Sequence, residues 1–249
     1  MTTTQTQRHI PLEGVCNLRD LGGYITESGA QTVWGVFYRS DSPHALSPAD
    51  RAELERRGVG TVVDLRNTHE LEAAPNPYAD SDGYRHISLM SALPNDPLAL
   101  SSLEGLYNAI LEHCGEAVRE AIESAIRAPG AVVVHCTAGK DRTGLIAALL
   151  LGAVGVPDET IADDYALTAT HAKNLLAQLL EAAGHSASYA RFLTAERETM
   201  LNTLRALRER HGSVQAYLEY IGVSSNHLGM LERRLLQAAN PRVAGRGAR

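Results

Sequence analysis

Between Val132 and Gly144 the chain reads VVVHCTAGKDRTG, an apolar β-branched run, then a cysteine, a short polar loop and an arginine that opens a second apolar run. Ala131 to His135 suits a buried strand and Arg142 to Gly155 a buried helix. A strand, a tight loop and a helix in that order form one unit of an α/β protein with parallel pairing. This junction constrains the fold class more than any other stretch.

It also constrains the chemistry. A loop between a strand and a helix N-terminus aims the backbone N–H groups from Thr137 to Arg142 at the space above the Cys136 sulfur, which makes an anion site. The helix end carries partial positive charge, and Lys140 and Arg142 add full charges, so thiolate is favoured over thiol at Cys136. Arg142, six positions after the cysteine, has a planar fork that can hold two oxygens of a tetrahedral oxyanion. Such a fork also holds charge during phosphoryl transfer, where catalysis is mostly positioning and electrostatics. Gly139 lets backbone approach the ligand closely, and Ala138 continues the cradle. Thr143 stands where its hydroxyl can serve the sulfur as a leaving group. A Walker A loop is the competing reading of the Gly-Lys pair, but Asp141 stands where a magnesium-binding Ser or Thr is needed, and Val134 where the first glycine is needed. An inert buried thiol would not need Lys, Asp, Arg and Gly at these offsets.

The rest of the chain supplies the frame. Of 249 residues, 44% are hydrophobic and 21% charged, which suits an ordinary folded protein. A net charge of −6 gives no protein-wide positive field for nucleic acid or an anionic membrane, so any anion must be captured locally. Three cysteines at unpaired spacing argue against a disulfide framework and for a reducing, cytoplasmic setting, with export without a cleaved signal peptide as the alternative. The N-terminus lacks the pattern of a secretory signal, and the apolar stretch Gly144 to Val156 is too short to span a bilayer, so no membrane insertion is expected.

Arg8 to Ser40 reads as short strands and turns, and Pro48 to Arg57 as a helix begun by Ser47 and Asp50. Thr61 to Leu65 is a strand. His69 to Pro97 is a proline-rich irregular connection around a strand at Tyr84 to Leu89. Two helices fit between Ser101 and Ala128, and everything beyond Val156 reads helical, with segments at 158–168, 171–183, 189–210, 214–221 and 226–238. Met1 to Gln7 and Asn240 to Arg249 read as flexible tails around one domain, 8–238.

HCTAGKDRTG resembles the Cys-x5-Arg-Thr/Ser signature of the cysteine-dependent phosphatases. With NLRDLGGY at Asn17 to Tyr24, FYRSD at Phe37 to Asp41 and VVDLR at Val62 to Arg66, the chain resembles the atypical bacterial tyrosine phosphatase family. The resemblance implies a central, largely parallel sheet flanked by helices and a helical lid within 169–210. It implies Cys136 as nucleophile, Arg142 as phosphate clamp, Lys140 as an added loop cation, and neither metal nor cofactor. Its substrates would be phosphotyrosine, in some members phosphoserine or phosphothreonine, and phosphoinositides.

Tyrosine phosphatases usually carry their general acid on an upstream Trp-Pro-Asp loop, and this chain has no such tripeptide. Asp141, inside the loop, resembles the acid of the bacterial family and of the myotubularin lipid phosphatases; Asp96 in ALPNDPLAL is the alternative. Substrate charge favours a protonated Asp141 and Arg142 an ionised one. Arg19, Asp20, Arg39, Asp41, Asp64 and Arg66 read first as buried ion pairs, second as supports of the phosphate site. His135 points opposite to Cys136 if the strand alternates and braces the loop from behind. Asp163 and Asp164 read as a capping or solvated pair. The expected activity is a metal-free phosphomonoesterase acting on a phosphorylated protein or phosphoinositide, through a phosphocysteine. The other readings are a phospho-ligand binding module without turnover, and an arsenate reductase or sulfurtransferase-like enzyme.

Overall fold

The computed structural model describes residues 8–93, 100 and 102–237. Both expected tails and Asp96 lie outside the described residues.

The strands are β1 (Arg19–Asp20), β2 (Gln31–Thr32), β3 (Phe37–Ser40), β4 (Val59–Asp64), β5 (Tyr84–His86), β6 (Ala131–His135) and β7 (Leu236–Gln237). The helices of the first half are α1 (Pro48–Arg56), α2 (Thr68–Ala73), α3 (Leu103–His113), α4 (Gly115–Arg127) and α5 (Asp141–Ala153). Those of the second half are α6 (Asp158–Ala166), α7 (Thr168–His171), α8 (Lys173–Ala182), α9 (Ala187–Ala190), α10 (Arg197–His211), α11 (Val214–Tyr220) and α12 (Ser225–Leu235).

The main sheet runs β1-β3-β6-β4-β5. β3, β6, β4 and β5 are parallel, and β1 closes the β3 edge antiparallel. β6 is central because its sequence, AVVVH, is β-branched and apolar on both faces, and every residue of it is buried. Val132 and Val134 join the large cluster built with α3, α4 and α5, whereas Ala131 and Val133 join the cluster of Ile10, Leu18, Tyr38 and Leu54. Cys136 continues the Val132 and Val134 face. α5 is buried from Arg142 to Ala153, as a helix apolar on all sides must be. The register sets Ser40, His135 and Asp64 side by side at the carboxyl ends of β3, β6 and β4, the edge at which open α/β sheets bind ligands.

Three stretches differ from the expectation. The proline-rich connection begins with a helix, α2, held by a capping box in which Glu70 accepts from the Asn67 amide. The helix expected at 189–210 is broken between α9 and α10, where the carbonyls of Phe192 and Thr194 accept from the Lys140 ammonium. The last helix stops at Leu235, and β7 pairs with β2 instead. α10 buries Met200, Leu204 and Leu207 and packs on α6 and α3, so it belongs to the core. α8 has no fully buried residue, and its Leu175, Leu176, Leu179 and Leu180 are half-buried. No helix among the described residues is long and apolar enough to cross a membrane.

Candidate active site

The loop from Cys136 to Lys140 leaves β6 between the ends of β3 and β4 and enters the first turn of α5. All five of its carbonyls are occupied. His135 Nδ1 donates to Cys136 O at 3.1 Å, and the Ser42 amide donates to Thr137 O at 3.0 Å. Asn17 Nδ2 donates to Ala138 O at 2.9 Å and Arg39 Nη2 to Gly139 O at 2.8 Å. Lys140 O takes the Gly144 amide at 2.8 Å. In contrast, none of the amides of Thr137, Ala138, Gly139, Lys140 and Asp141 donates to any acceptor among the described residues. Buried amides are nearly always paired, so a loop with every carbonyl tied outward and its amides free is built to take an external acceptor.

Gly139 is required by this geometry. Its φ is +66°, and a Cβ would lie 2.4 Å from Ser40 O.

The charged residues around the loop do more than pair. Arg39 Nη1 binds Asp164 Oδ2 at 2.6 Å while its Nη2 holds Gly139 O, and Arg19 Nε binds Asp164 Oδ1 at 3.0 Å. Asp164, expected to be half of a capping or solvated pair, is 2% exposed; burial opposes its charge, but two arginines and the Tyr24 hydroxyl hold its carboxyl well below the usual range. The ion-pair reading and the support reading therefore both describe Arg39. Arg66 binds Asp64 at 2.7 Å. Asp41 accepts from the amides of Cys16 and Asn17, and Asp20 from those of Gly22 and Gly35. His135 lies opposite Cys136: Asn76 Nδ2 donates to its Nε2 at 3.0 Å, which leaves Nδ1 to donate to Cys136 O. Burial lowers its pKa, so it braces the loop as a neutral ring.

Cys136, Thr137, Ala138, Asp141, Arg142 and Glu70 share one cavity of about 190 Å3. Arg142 presents Nη1 and Nη2 to Glu70 at 2.5 and 2.8 Å. Glu70 also accepts from the Thr137 hydroxyl. Burial opposes ionisation of Glu70, yet the hydrogen bonds and charge of Arg142 carry its pKa down to about 2. Arg142 is pushed up in turn: burial works against its charge, but Glu70 and then Cys136 outweigh it.

Asp141 has a one-sided environment. Its Oδ1 accepts from the Tyr107 hydroxyl at 2.5 Å and lies 3.2 Å from Lys140 Nζ, while Oδ2 has no partner among the described residues. Tyr107 is in turn 2.6 Å from the Tyr165 hydroxyl, and burial, followed by Asp141, pushes the Tyr107 phenol well up, so it stays a donor. Thr143 is wholly buried and its hydroxyl has no partner among the described residues. The upper walls of the cavity are apolar: Leu103 and Leu106 of α3, Leu176 and Leu179 of α8, and Tyr189 and Phe192. At Glu70, Thr137 and Leu179 it meets an outer cavity of about 580 Å3.

The tyrosine phosphatase family profile matches residues 10–237. The chain belongs to the tyrosine phosphatase family. This phosphatase is 33% identical over 223 residues to a tyrosine-protein phosphatase of Nostoc commune, covering 82% of its own chain and 75% of that relative. It is 24% identical over 281 aligned positions to the triple specificity protein phosphatase PtpB of Mycobacterium tuberculosis, covering 90% and 98% of the two chains. Family membership makes the protein an enzyme that hydrolyses phosphotyrosine, so its substrate is phosphorylated.

The sequence expectation placed Cys136, Thr137, Ala138, Asp141 and Arg142 together, and they line one cavity. The resemblance implies Lys140 as an added loop cation with the phosphate-binding residues; its ammonium is buried against Phe192 O and Thr194 O. Glu70, Tyr107, Asn17 and Asn76 were not identified. Asn67 followed by Glu70 is a capping signal that marks α2, but nothing local tells that this carboxylate also reaches Arg142 across 72 positions. Tyr107 carries no local signal, since its spacing on α3 reads as core.

Proposed function

We propose that the phosphatase works through a phosphocysteine, with Cys136 as nucleophile, Arg142 and the loop amides as the phosphate cradle, and Asp141 as general acid. The observation that carries this reading is the set of five amides without an acceptor among the described residues in the loop that joins Cys136 to Arg142, two residues that line one cavity. The thiolate attacks phosphorus, and the S–P bond forms as the P–O bond to the leaving group breaks. Asp141 protonates the departing oxygen from Oδ2, with Oδ1 fixed by Tyr107. Water then attacks the phosphocysteine, its proton going to Asp141, and phosphate leaves with the thiolate restored. Thr143, buried with a free hydroxyl, donates to the sulfur as it departs. Arg39 and Asn17 hold the loop carbonyls outward so that the amides converge.

Phosphotyrosine is the substrate that fits best, because a cavity of about 190 Å3 with apolar upper walls admits one aryl ring above the cradle. The outer cavity leaves room for the remainder of a phosphopeptide. The lid is α8 with α9, whose Leu176, Leu179 and Tyr189 close the top of the cavity without entering the core. The three free cysteines suit a reducing, cytoplasmic compartment, where the nucleophile stays reduced.

The test is Cys136→Ser assayed on p-nitrophenyl phosphate and for phosphate binding by calorimetry. Turnover is lost and binding persists on this reading; equal turnover in the variant would refute covalent catalysis at Cys136.

A further inference from the structure

Lys140 has the wrong surroundings for a phosphate ligand. It is wholly buried, and its ammonium is engaged in two directions. On one side it donates to Phe192 O and, at 2.8 Å, to Thr194 O, both in the turn that follows α9. On the other it lies 3.2 Å from Asp141 Oδ1, the oxygen that also accepts from Tyr107. A buried ammonium must find such partners, and these three oxygens use its three protons. Phe192 also contributes to the wall of the catalytic cavity. One side chain therefore joins the foot of the α8–α9 cover to the carboxylate beside the nucleophile. It does so at the point where the expected continuous helix is broken, so carbonyls that could have continued a helix face Lys140 instead.

We propose that Lys140 is a positioning residue that latches the base of the α8–α9 lid to Asp141, so that seating of the lid and alignment of the general acid are one event. The inference rests on the assignment of Asp141 as acid. When the turn at Phe192 to Thr194 lifts, Lys140 loses two of its acceptors and its charge is left with Asp141 alone, which moves the carboxylate away from the leaving oxygen. When the turn seats, the ammonium returns to the two carbonyls, and Oδ1 is shared between Lys140 and Tyr107 with Oδ2 open to the cavity.

The experiment uses the full chain with Lys140→Met, which keeps length and apolar volume and removes the donor. Two readouts are taken in parallel. In the first, Cys136 is alkylated with iodoacetamide; the variant should label at least about tenfold faster than wild type, the factor associated with losing one charge-assisted hydrogen bond. In the second, kcat is compared for phenyl phosphate and p-nitrophenyl phosphate. The variant should lose about tenfold more on the poorer leaving group, and Asp141→Asn combined with it should add no further loss.

Unchanged labelling overturns the latch, whatever Asp141→Asn does. Faster labelling with an unaltered leaving-group dependence, in a protein where Asp141→Asn does alter it, overturns the coupling to the acid. If Asp141→Asn leaves that dependence unaltered, the acid assignment itself fails, and the coupling falls with it. Lower affinity for inorganic phosphate with unchanged labelling makes Lys140 a phosphate ligand and also overturns the proposal. Should Lys140→Met not fold, wild-type hydrogen exchange decides: inorganic phosphate must slow exchange in 191–196 together with 137–142, and protection confined to 137–142 refutes the latch.

Discussion

Glu70→Gln removes one charge from the site and almost no volume. In the wild type, Glu70 faces both terminal nitrogens of Arg142, at 2.5 and 2.8 Å, with its side chain 19% exposed. The fall of its pKa from the ordinary 4.5 to about 2 corresponds to about 3 kcal/mol of stabilisation at neutral pH. Because the folded-state value is the lower one, this contribution is complete above about pH 5 and is lost as pH falls through 4.5 towards 2. At pH 3.5 about 2 kcal/mol should remain. Gln also turns an NH2 group towards a guanidinium that can only donate, so Arg142 loses its fixed orientation. Urea unfolding of both proteins between pH 3.5 and 7 measures the first effect. The stability difference should be flat at the neutral end and shrink by about 1 kcal/mol at the acid end. Steady-state kinetics on p-nitrophenyl phosphate measures the second, with kcat/KM expected to fall about 10- to 100-fold through misplacement of the clamp. A stability difference that does not change with pH would refute the argument, since a carboxylate held low by Arg142, Thr137 and the Asn67 amide must titrate and packing does not.

Gly139→Ala should destabilise the protein by at least about 2 kcal/mol and abolish the rise in melting temperature that phosphate gives, because the new Cβ meets Ser40 O at a left-handed φ. A phosphate-induced shift equal to that of wild type would show that the loop does not need this conformation. Arg39→Met leaves Asp164 with one guanidinium instead of two and Gly139 O with the longer bond from Asn17 Nδ2, at 3.3 Å, so urea unfolding should report a loss of about 3–5 kcal/mol. A loss below about 1 kcal/mol would mean that Arg19 and the Tyr24 hydroxyl suffice for the carboxylate. Tyr107→Phe removes the hydroxyl between Asp141 and Tyr165 and should cost only about 1–2 kcal/mol of stability. Its kcat should fall more for phenyl phosphate than for p-nitrophenyl phosphate; equal losses on both would separate Tyr107 from the acid step.

The loop from Cys136 to Arg142 is legible in the sequence because all its parts lie within one strand-loop-helix unit. Cys136, the amides that follow it and Arg142 are separated by only a few residues, and the apolar runs on either side leave few ways to arrange them. The same locality fixed the start of α1, where Ser47 and Asp50 form the capping box expected of them. His135 was legible too, since strand alternation alone places it opposite Cys136.

Legible from local sequence were therefore the α/β class, the parallel strand at its centre, and the short loop that groups Cys136, Asp141 and Arg142 about one cavity. Which groups support and cover that loop depends on the packing of the whole chain. Glu70 reaches Arg142 across 72 positions, Arg39 reaches Gly139 across 100, and Tyr107 reaches Asp141 across 34. Lys140 finds its acceptors 52 and 54 positions on. The physical reason is that a capping carboxylate, a core tyrosine or a buried arginine satisfies local rules equally well in many folds. Which distant oxygen or nitrogen completes its hydrogen bonds is settled only when the sheet order and the packing of the later helices bring the two together.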